Sequence, residues 1–282
     1  MLSYNHEFHA GNHADVLKHI AISLVMRHLN KKDKPYCVID THAGSGYYDL
    51  TSTKAKKNSE FKTGITKIAE NQVLRKLLPE YYSCIDAIND KVSLKYYPGS
   101  ACYEVLLARG DAHIFVCDLH KAAYESLVET VGDNPNVTVM NEDGFGILKA
   151  LLPPIQKRGL ITIDPSYELE KDYDLVIATL KSSLARFSTG IYLIWYPVLA
   201  LAQDHSVQLI QRIRGLNKPC LQAEVRIKRQ DKKFGMCGSG VLVLNYPYGM
   251  DVEIDKVMSQ IVNPLAVDAT AQAKSEVLIK AP

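Results

Sequence analysis

The feature of this sequence most able to do chemistry is a carboxylate that follows a short apolar run and is itself followed at once by proline and, two residues on, by an aromatic side chain. Residues 159–167 read Gly-Leu-Ile-Thr-Ile-Asp-Pro-Ser-Tyr. A run of Leu, Ile, Thr and Ile suits a strand covered on both faces, as in a parallel sheet, and Pro165 has no N–H with which to continue the ladder. Asp164 is therefore expected at the C-terminal tip of a strand, where open α/β sheets bind ligands. Read alone, the same aspartate also suits a helix cap, and Tyr167 an ordinary core aromatic.

Other residues add to that candidate. Gly44 and Gly46 follow the strand-like run Tyr36–Asp40 and would let backbone approach a ligand closely. A dinucleotide fingerprint needs a third glycine, but position 49 is aspartate, which disfavours a nicotinamide enzyme. Asp118 ends a second apolar run, His113–Cys117, at the place where a carboxylate accepts both hydroxyls of a ribose. It lies 78 positions after Asp40 rather than about twenty, so an insertion must separate the two strands. His6, His9, His13 and His19 crowd the N-terminus with neither a His-Glu-x-x-His pattern nor a thiolate. Hydrogen-bonding roles are expected of them, and no metal. Arg226, Lys228, Arg229, Lys232 and Lys233 form the densest basic cluster, from which Arg229, Lys232 and Lys233 are expected to meet nucleic-acid phosphates.

The elements that must position these residues follow from periodicity. Val16, Leu17, Ile20, Ala21, Leu24 and Val25 predict a helix over 14–29, capped by Asn12. Residues 51–97 change character: Lys54, Lys56, Lys57, Lys62 and Lys67 mix with helical-period apolar residues, which predicts an inserted helical subdomain between an N-terminal part (1–50) and the remainder (98–282). Helices over about 122–131, 172–187 and 207–213 alternate with strands over 137–140, 160–163 and 190–197, in βαβ rhythm. Leu221–Lys228 alternates strictly and predicts a half-exposed strand, with Val241–Leu244 as its antiparallel partner. The tail after Pro264 is small and polar, and no element is expected there.

Composition sets the class. The 282 residues carry a net charge of +2, are 47% hydrophobic and 23% charged, and so describe an ordinary globular chain. The longest apolar run, Ile191–Ala202, is broken by Pro197 and is too short to span a bilayer; the N-terminus lacks a signal-peptide pattern. Six scattered cysteines with no Cys-x-x-Cys pair suit buried thiols in a reducing cytoplasm. A cytoplasmic monomer that touches no membrane is expected.

Six blocks taken in order resemble the RlmJ family: residues 8–19 (Phe-His-Ala-Gly-Asn-His-Ala-Asp-Val-Leu-Lys-His), 40–44 (Asp-Thr-His-Ala-Gly), 97–100 (Tyr-Pro-Gly-Ser), Asp143-Gly144, Asp164-Pro165-Ser166-Tyr167 and Trp195-Tyr196-Pro197. The resemblance covers nearly the whole chain. It implies a Rossmann-like α/β methyltransferase fold, with a seven-stranded mixed sheet, that uses S-adenosylmethionine to methylate N6 of one adenine in bacterial 23S ribosomal RNA. It implies that His19, His42, Ser100, Asp118, Asp143 and Gly144 line the cofactor pocket beside Gly44. Asp164, with Pro165 and Tyr167, would be catalytic on a flipped base, and Tyr4, His6 and Lys18 would act near that base. Two positions depart from the family pattern: Ser166 replaces a second proline, and Asp118 replaces a glutamate. Two rival readings stay open: an adenine-N6 DNA or protein-glutamine methyltransferase, and a catalytically silent RNA-binding or ribosome-assembly protein on the same fold.

Overall fold

The computed structural model describes residues 5–90 and 93–281. After a 3-10 turn at His6–Phe8 comes α1 (His13–Asn30), capped by the Asn12 side chain, which accepts from the N–H groups of Ala14 and Asp15. The chain continues through β1 (Cys37–Asp40), β2 (Tyr47–Asp49), α2 (Thr53–Asn58), α3 (Ile65–Ile68), α4 (Gln72–Leu77), α5 (Pro79–Ala87) and β3 (Tyr96–Pro98). Next are α6 (Ser100–Leu107), β4 (His113–Cys117), α7 (Lys121–Val131), β5 (Val137–Met140), α8 (Gly144–Leu151), β6 (Gly159–Ile163) and α9 (Lys171–Arg186). The last elements are β7 (Ile191–Leu199), α10 (Ser206–Arg214), β8 (Cys220–Arg226), β9 (Met236–Leu244), α11 (Met250–Leu265) and β10 (Gln272–Ile279).

Eight strands form one sheet in the order β10-β8-β9-β7-β6-β1-β4-β5. The five from β7 to β5 are parallel, and β9, β8 and β10 are joined antiparallel. From β1 the chain steps to β4 and β5 on one side, then returns to β6 on the other. That reversal opens a crevice at the C-terminal ends of β1 and β6, the position where such sheets hold ligands. Period-two alternation sorts side chains between two cores. Leu193 of β7 joins α1, α5, α6 and α11, whereas Tyr192, Ile194 and Tyr196 join α8, α9 and α10 on the opposite face.

The sheet corrects two sequence expectations. It has eight strands rather than seven, because the polar tail folds as β10 along the edge of β8. Its half-buried side chains are Ala273, Ser275 and the short run Val277–Ile279, so the polar alternation before that run hid the strand. Nor is β8 half-exposed: flanked by β9 and β10, it is buried along nearly its whole length. The polar side of its alternation faces Tyr196, whose hydroxyl donates to Glu224 (2.8 Å) and accepts from Gln222 Nε2 (2.7 Å). Arg226 Nε completes the set, 2.9 Å from Glu224 Oε1. Buried polar groups with partners of this kind escape the usual desolvation cost, so alternation did not signal exposure.

The helices between β2 and β3 press the N-terminal segment onto α1. Ile65 N–H donates to the Gly11 carbonyl (2.8 Å), and Glu60 takes bonds from His9 (2.8 Å) and Asn12 (2.9 Å). Gly64 permits this approach, since a Cβ there would lie 2.1 Å from the Gly11 carbonyl oxygen. Ile65, Ile68, Leu74 and Tyr81 share one apolar cluster with α1.

Candidate active site

Helix α1 is buried without a break from His13 to Met26, although it carries Asp15, Lys18 and His19. Three buried ionisable residues within one turn require partners, and the tertiary fold supplies them. Lys18 Nζ donates to Asp164 Oδ2 at 2.6 Å and lies 3.2 Å from Asp15 Oδ1. The pair joins α1 to the tip of β6 across 146 residues of sequence. Asp15 Oδ2 also accepts from Gly11 N–H (2.9 Å) and lies 2.9 Å from His6 Nε2. Burial alone would raise the Asp15 pKa, but His6 and Lys18 outweigh it and hold the carboxyl well below its ordinary range. Lys18 therefore fixes Oδ2 of Asp164, while among the described residues Oδ1 takes no hydrogen bond.

The neighbouring strand tips carry further acids. Asp40, which ends β1, is fully buried and hydrogen-bonds Ser100; burial pushes its pKa up to about 6. Glu104 on α6 accepts from Thr162 Oγ1 (2.7 Å), and burial, with Asp40 adding to it, raises its pKa well above the usual carboxylate value. Among the described residues, Asp40 Oδ2 is buried without a hydrogen-bond partner. At the tip of β4, Asp118 accepts from Gly44 N–H (3.0 Å) and His120 N–H (2.7 Å), and burial raises its pKa. Gly44 has φ +64°, and a Cβ there would meet the Tyr48 hydroxyl at 2.2 Å. His42 lies 2.7 Å from Thr41 Oγ1 by its Nδ1, stands edge-on to Phe145 at 5.0 Å, and is kept neutral by burial, which lowers its pKa to about 3.

Asp143 caps α8 by accepting from Phe145 N–H at 3.2 Å. The next residue, Gly144, packs directly on β1, because a Cβ there would lie 1.9 Å from the Thr41 carbonyl oxygen. Gly144→Ala must separate two backbones at the crevice, so its denaturant midpoint is expected to fall by an amount equivalent to about 1–3 kcal/mol. An unchanged midpoint would show that α8 shifts freely.

The remaining expected site residues are less uniform. Tyr167 follows the β6 tip with φ +52°, a left-handed conformation uncommon outside glycine and asparagine, and is 6% exposed. Its hydroxyl donates to the Trp195 carbonyl (2.8 Å), and its ring centroid lies 4.6 Å from Tyr173 and 5.9 Å from Trp195. Pro165 is buried beside it. His19 is 1% exposed, 3.0 Å from the Tyr97 hydroxyl by its Nδ1 and 4.8 Å from the Tyr103 ring. Arg229, Lys232 and Lys233 are exposed on the loop joining β8 to β9. Tyr4 lies outside the described residues. Among the described residues no group of three His, Cys, Asp or Glu could hold a metal ion. Sequence reasoning passed over Asp15 and Glu104. The available signal was charge inside helices whose other residues are apolar or buried.

The comparisons with known proteins agree along nearly the whole chain. Residues 33–279 match the family model described as ribosomal RNA large subunit methyltransferase D, RlmJ. The ribosomal RNA large subunit methyltransferase J of Escherichia coli is 38% identical over 273 residues, covering 97% of each chain. That of Haemophilus influenzae is 37% identical over 271 residues, covering 96% of each. A crystal structure of a Legionella pneumophila protein superposes with a TM-score of 0.86 at 35% identity, over 95% of this chain and 98% of that one. With a crevice at the switch point of a methyltransferase sheet and this similarity over its length, the chain belongs to the RlmJ family of ribosomal RNA large-subunit methyltransferases.

Proposed function

We propose that this protein transfers a methyl group from S-adenosylmethionine to N6 of one adenine in 23S ribosomal RNA, with the base turned out of its helix into the crevice at Asp164. The observation that carries this reading is the Asp164 carboxylate, held by Lys18 at 2.6 Å and followed immediately by Pro165. An exocyclic amine conjugated to a ring is a poor nucleophile, because its lone pair is delocalised. Two acceptors placed on its two hydrogens draw that lone pair back onto nitrogen. Asp164 Oδ1 and the Pro165 carbonyl are a matched pair for this task, and neither requires a metal. Lys18 acts as a positioning residue, fixing the carboxylate before the base arrives. Tyr167, anchored on the Trp195 carbonyl, forms the wall against which the flipped base packs, a contact worth about 1–3 kcal/mol when it is a full stack.

The residues fit the cofactor. The buried, unpartnered Asp40 Oδ2 suits a cationic amino group, and Asp118, braced by Gly44 and His120, suits a ribose diol. Asp118 still has lone pairs free after those two backbone bonds. His42, Ser100, Asp143 and Gly144 border the same crevice, with His19 behind it. When bound, S-adenosylmethionine supplies an electrophilic methyl group on a sulfonium. The protein contributes orientation, the two acceptors and exclusion of water. Arg229, Lys232 and Lys233 neutralise phosphates of the RNA that flanks the base.

The test is transfer of tritiated methyl groups to 23S ribosomal RNA from a strain that lacks the endogenous enzyme, with the product nucleoside mapped. Label on a single N6-methyladenine is expected. Label on DNA, on protein glutamine, or on another nucleoside would replace this reading by one of its rivals, and no label would leave the silent binding protein.

A further inference from the structure

Strands β7 and β9 overhang the crevice. The β6–β7 register ends at Ile163 opposite Ile194, one residue before Asp164, whereas β7 runs on to Leu199, paired with Met236 of β9. Five further residues at about 3.3 Å each raise a wall roughly 16 Å above the tip of β6. The loop at the head of this wall, residues 227–235, is fastened to the segment after β7. Ala200 N–H donates to the Gly235 carbonyl (2.9 Å), Leu201 N–H to Asp231 (2.9 Å), and Gln230 Nε2 to the Leu199 carbonyl (2.6 Å). Asp231 Oδ1 accepts from the N–H groups of Lys233 (2.7 Å) and Phe234 (3.4 Å), closing a turn that Gly235 leaves with φ +90°.

That anchored turn presents Phe234 with 77% of its surface exposed, and Leu201, bonded to the same turn, is 61% exposed. A single exposed apolar side chain is ordinary. Here two lie on segments hydrogen-bonded to one another, and the loop that carries Phe234 also carries Lys228, Arg229, Lys232 and Lys233, while the Asp231 carboxylate is engaged by its own turn. An apolar protein partner would not call for four cations within six residues of the exposed aromatic side chain. A polyanion whose bases offer flat faces would use both the charges and the ring.

We propose that Phe234 is a stacking platform for an unpaired nucleobase of the substrate RNA, neighbouring the flipped adenine, with Lys232 and Lys233 gripping the phosphates on either side. This rests on the proposed RNA substrate and adds to it a contact that selects RNA with an unstacked base beside the target. With roughly 16 Å of strand between the tip of β6 and this turn, Phe234 is assigned to a neighbouring base rather than to the target.

The probe is unmodified 23S ribosomal RNA transcript, used with the full chain in steady-state methyl transfer. Phe234→Ala is expected to raise KM for the transcript between about fivefold and a hundredfold, the range for losing one base stack, with kcat retained. Phe234→Trp restores KM, and its indole emission is quenched when transcript is added, beyond any change given by the native Trp195. The salt dependence of binding keeps its slope in Phe234→Ala but flattens when Lys232 and Lys233 are both changed to glutamate. A Phe234→Ala variant with the KM of the unaltered protein overturns the platform while leaving the RNA substrate standing. Loss of kcat in place of a raised KM, or no rescue by tryptophan, also overturns it. Failure of the unaltered protein to bind or methylate the transcript would overturn both readings together.

Discussion

Asp164→Ala is expected to lower methyl transfer by about 10²–10³-fold, the effect of removing one preorganised group that acts mainly on the transition state, about 2.7–4 kcal/mol. In the structure Oδ2 is engaged by Lys18 at 2.6 Å, so the alanine variant also removes one of the two acids around that ammonium. Asp15 remains at 3.2 Å, and a modest loss of stability is the consequence. Asp164→Asn separates the two effects: its amide oxygen can still accept from Lys18 and preserve the fold, but it lacks the charge that draws the lone pair onto N6. Tritium transfer at saturating cofactor and RNA reads the rate, and a urea melt reads the stability. Turnover near that of the unaltered protein in both variants would exclude Asp164 from the chemical step.

The largest loss of stability is expected from Lys18→Met. Lys18 and Asp15 are nearly inaccessible and Asp164 is 14% exposed, so removing the cation strands two carboxylates in a poorly solvated place. Breaking a buried charge cluster from one side costs about 3–5 kcal/mol, because the remaining charge has neither water nor a partner. Asp15 keeps His6 at 2.9 Å, whereas Asp164 has no second cation among the described residues, so the carboxylate at the β6 tip loses its fixed position. Lys18→Met should therefore be less stable than Asp164→Ala and should lose methyl transfer as well. Denaturant midpoints of the two purified variants, measured side by side, decide the order. A lysine variant as stable as the aspartate variant would show that the cluster is solvated and that Lys18 does not organise it.

Several features were legible without a structure because they depend on neighbours in sequence. The α1 periodicity and its Asn12 cap, the parallel-strand character of residues 160–163, and the stop imposed by Pro165 are local properties of side chain and backbone, and each reappears in the fold. Asp118 was legible for the same reason: a strand ending in an acid presents that acid at the sheet's C-terminal edge.

What the sequence could not determine depends on residues far apart in the chain. The meeting of Lys18 with Asp164 spans 146 residues and exists only because tertiary packing lays α1 against β6. The burial of β8 was misread because Tyr196, which satisfies Gln222 and Glu224, comes from another strand, and a period of two does not distinguish water from a buried hydroxyl. Strand β10 was missed because its apolar residues are few and gathered at its C-terminal end, and its pairing along the edge of β8 leaves no local pattern in the sequence. Tyr167 takes its left-handed backbone and its anchor on the Trp195 carbonyl from the tertiary fold. Local chemistry therefore named the groups, and long-range packing decided which of them are buried and which are paired.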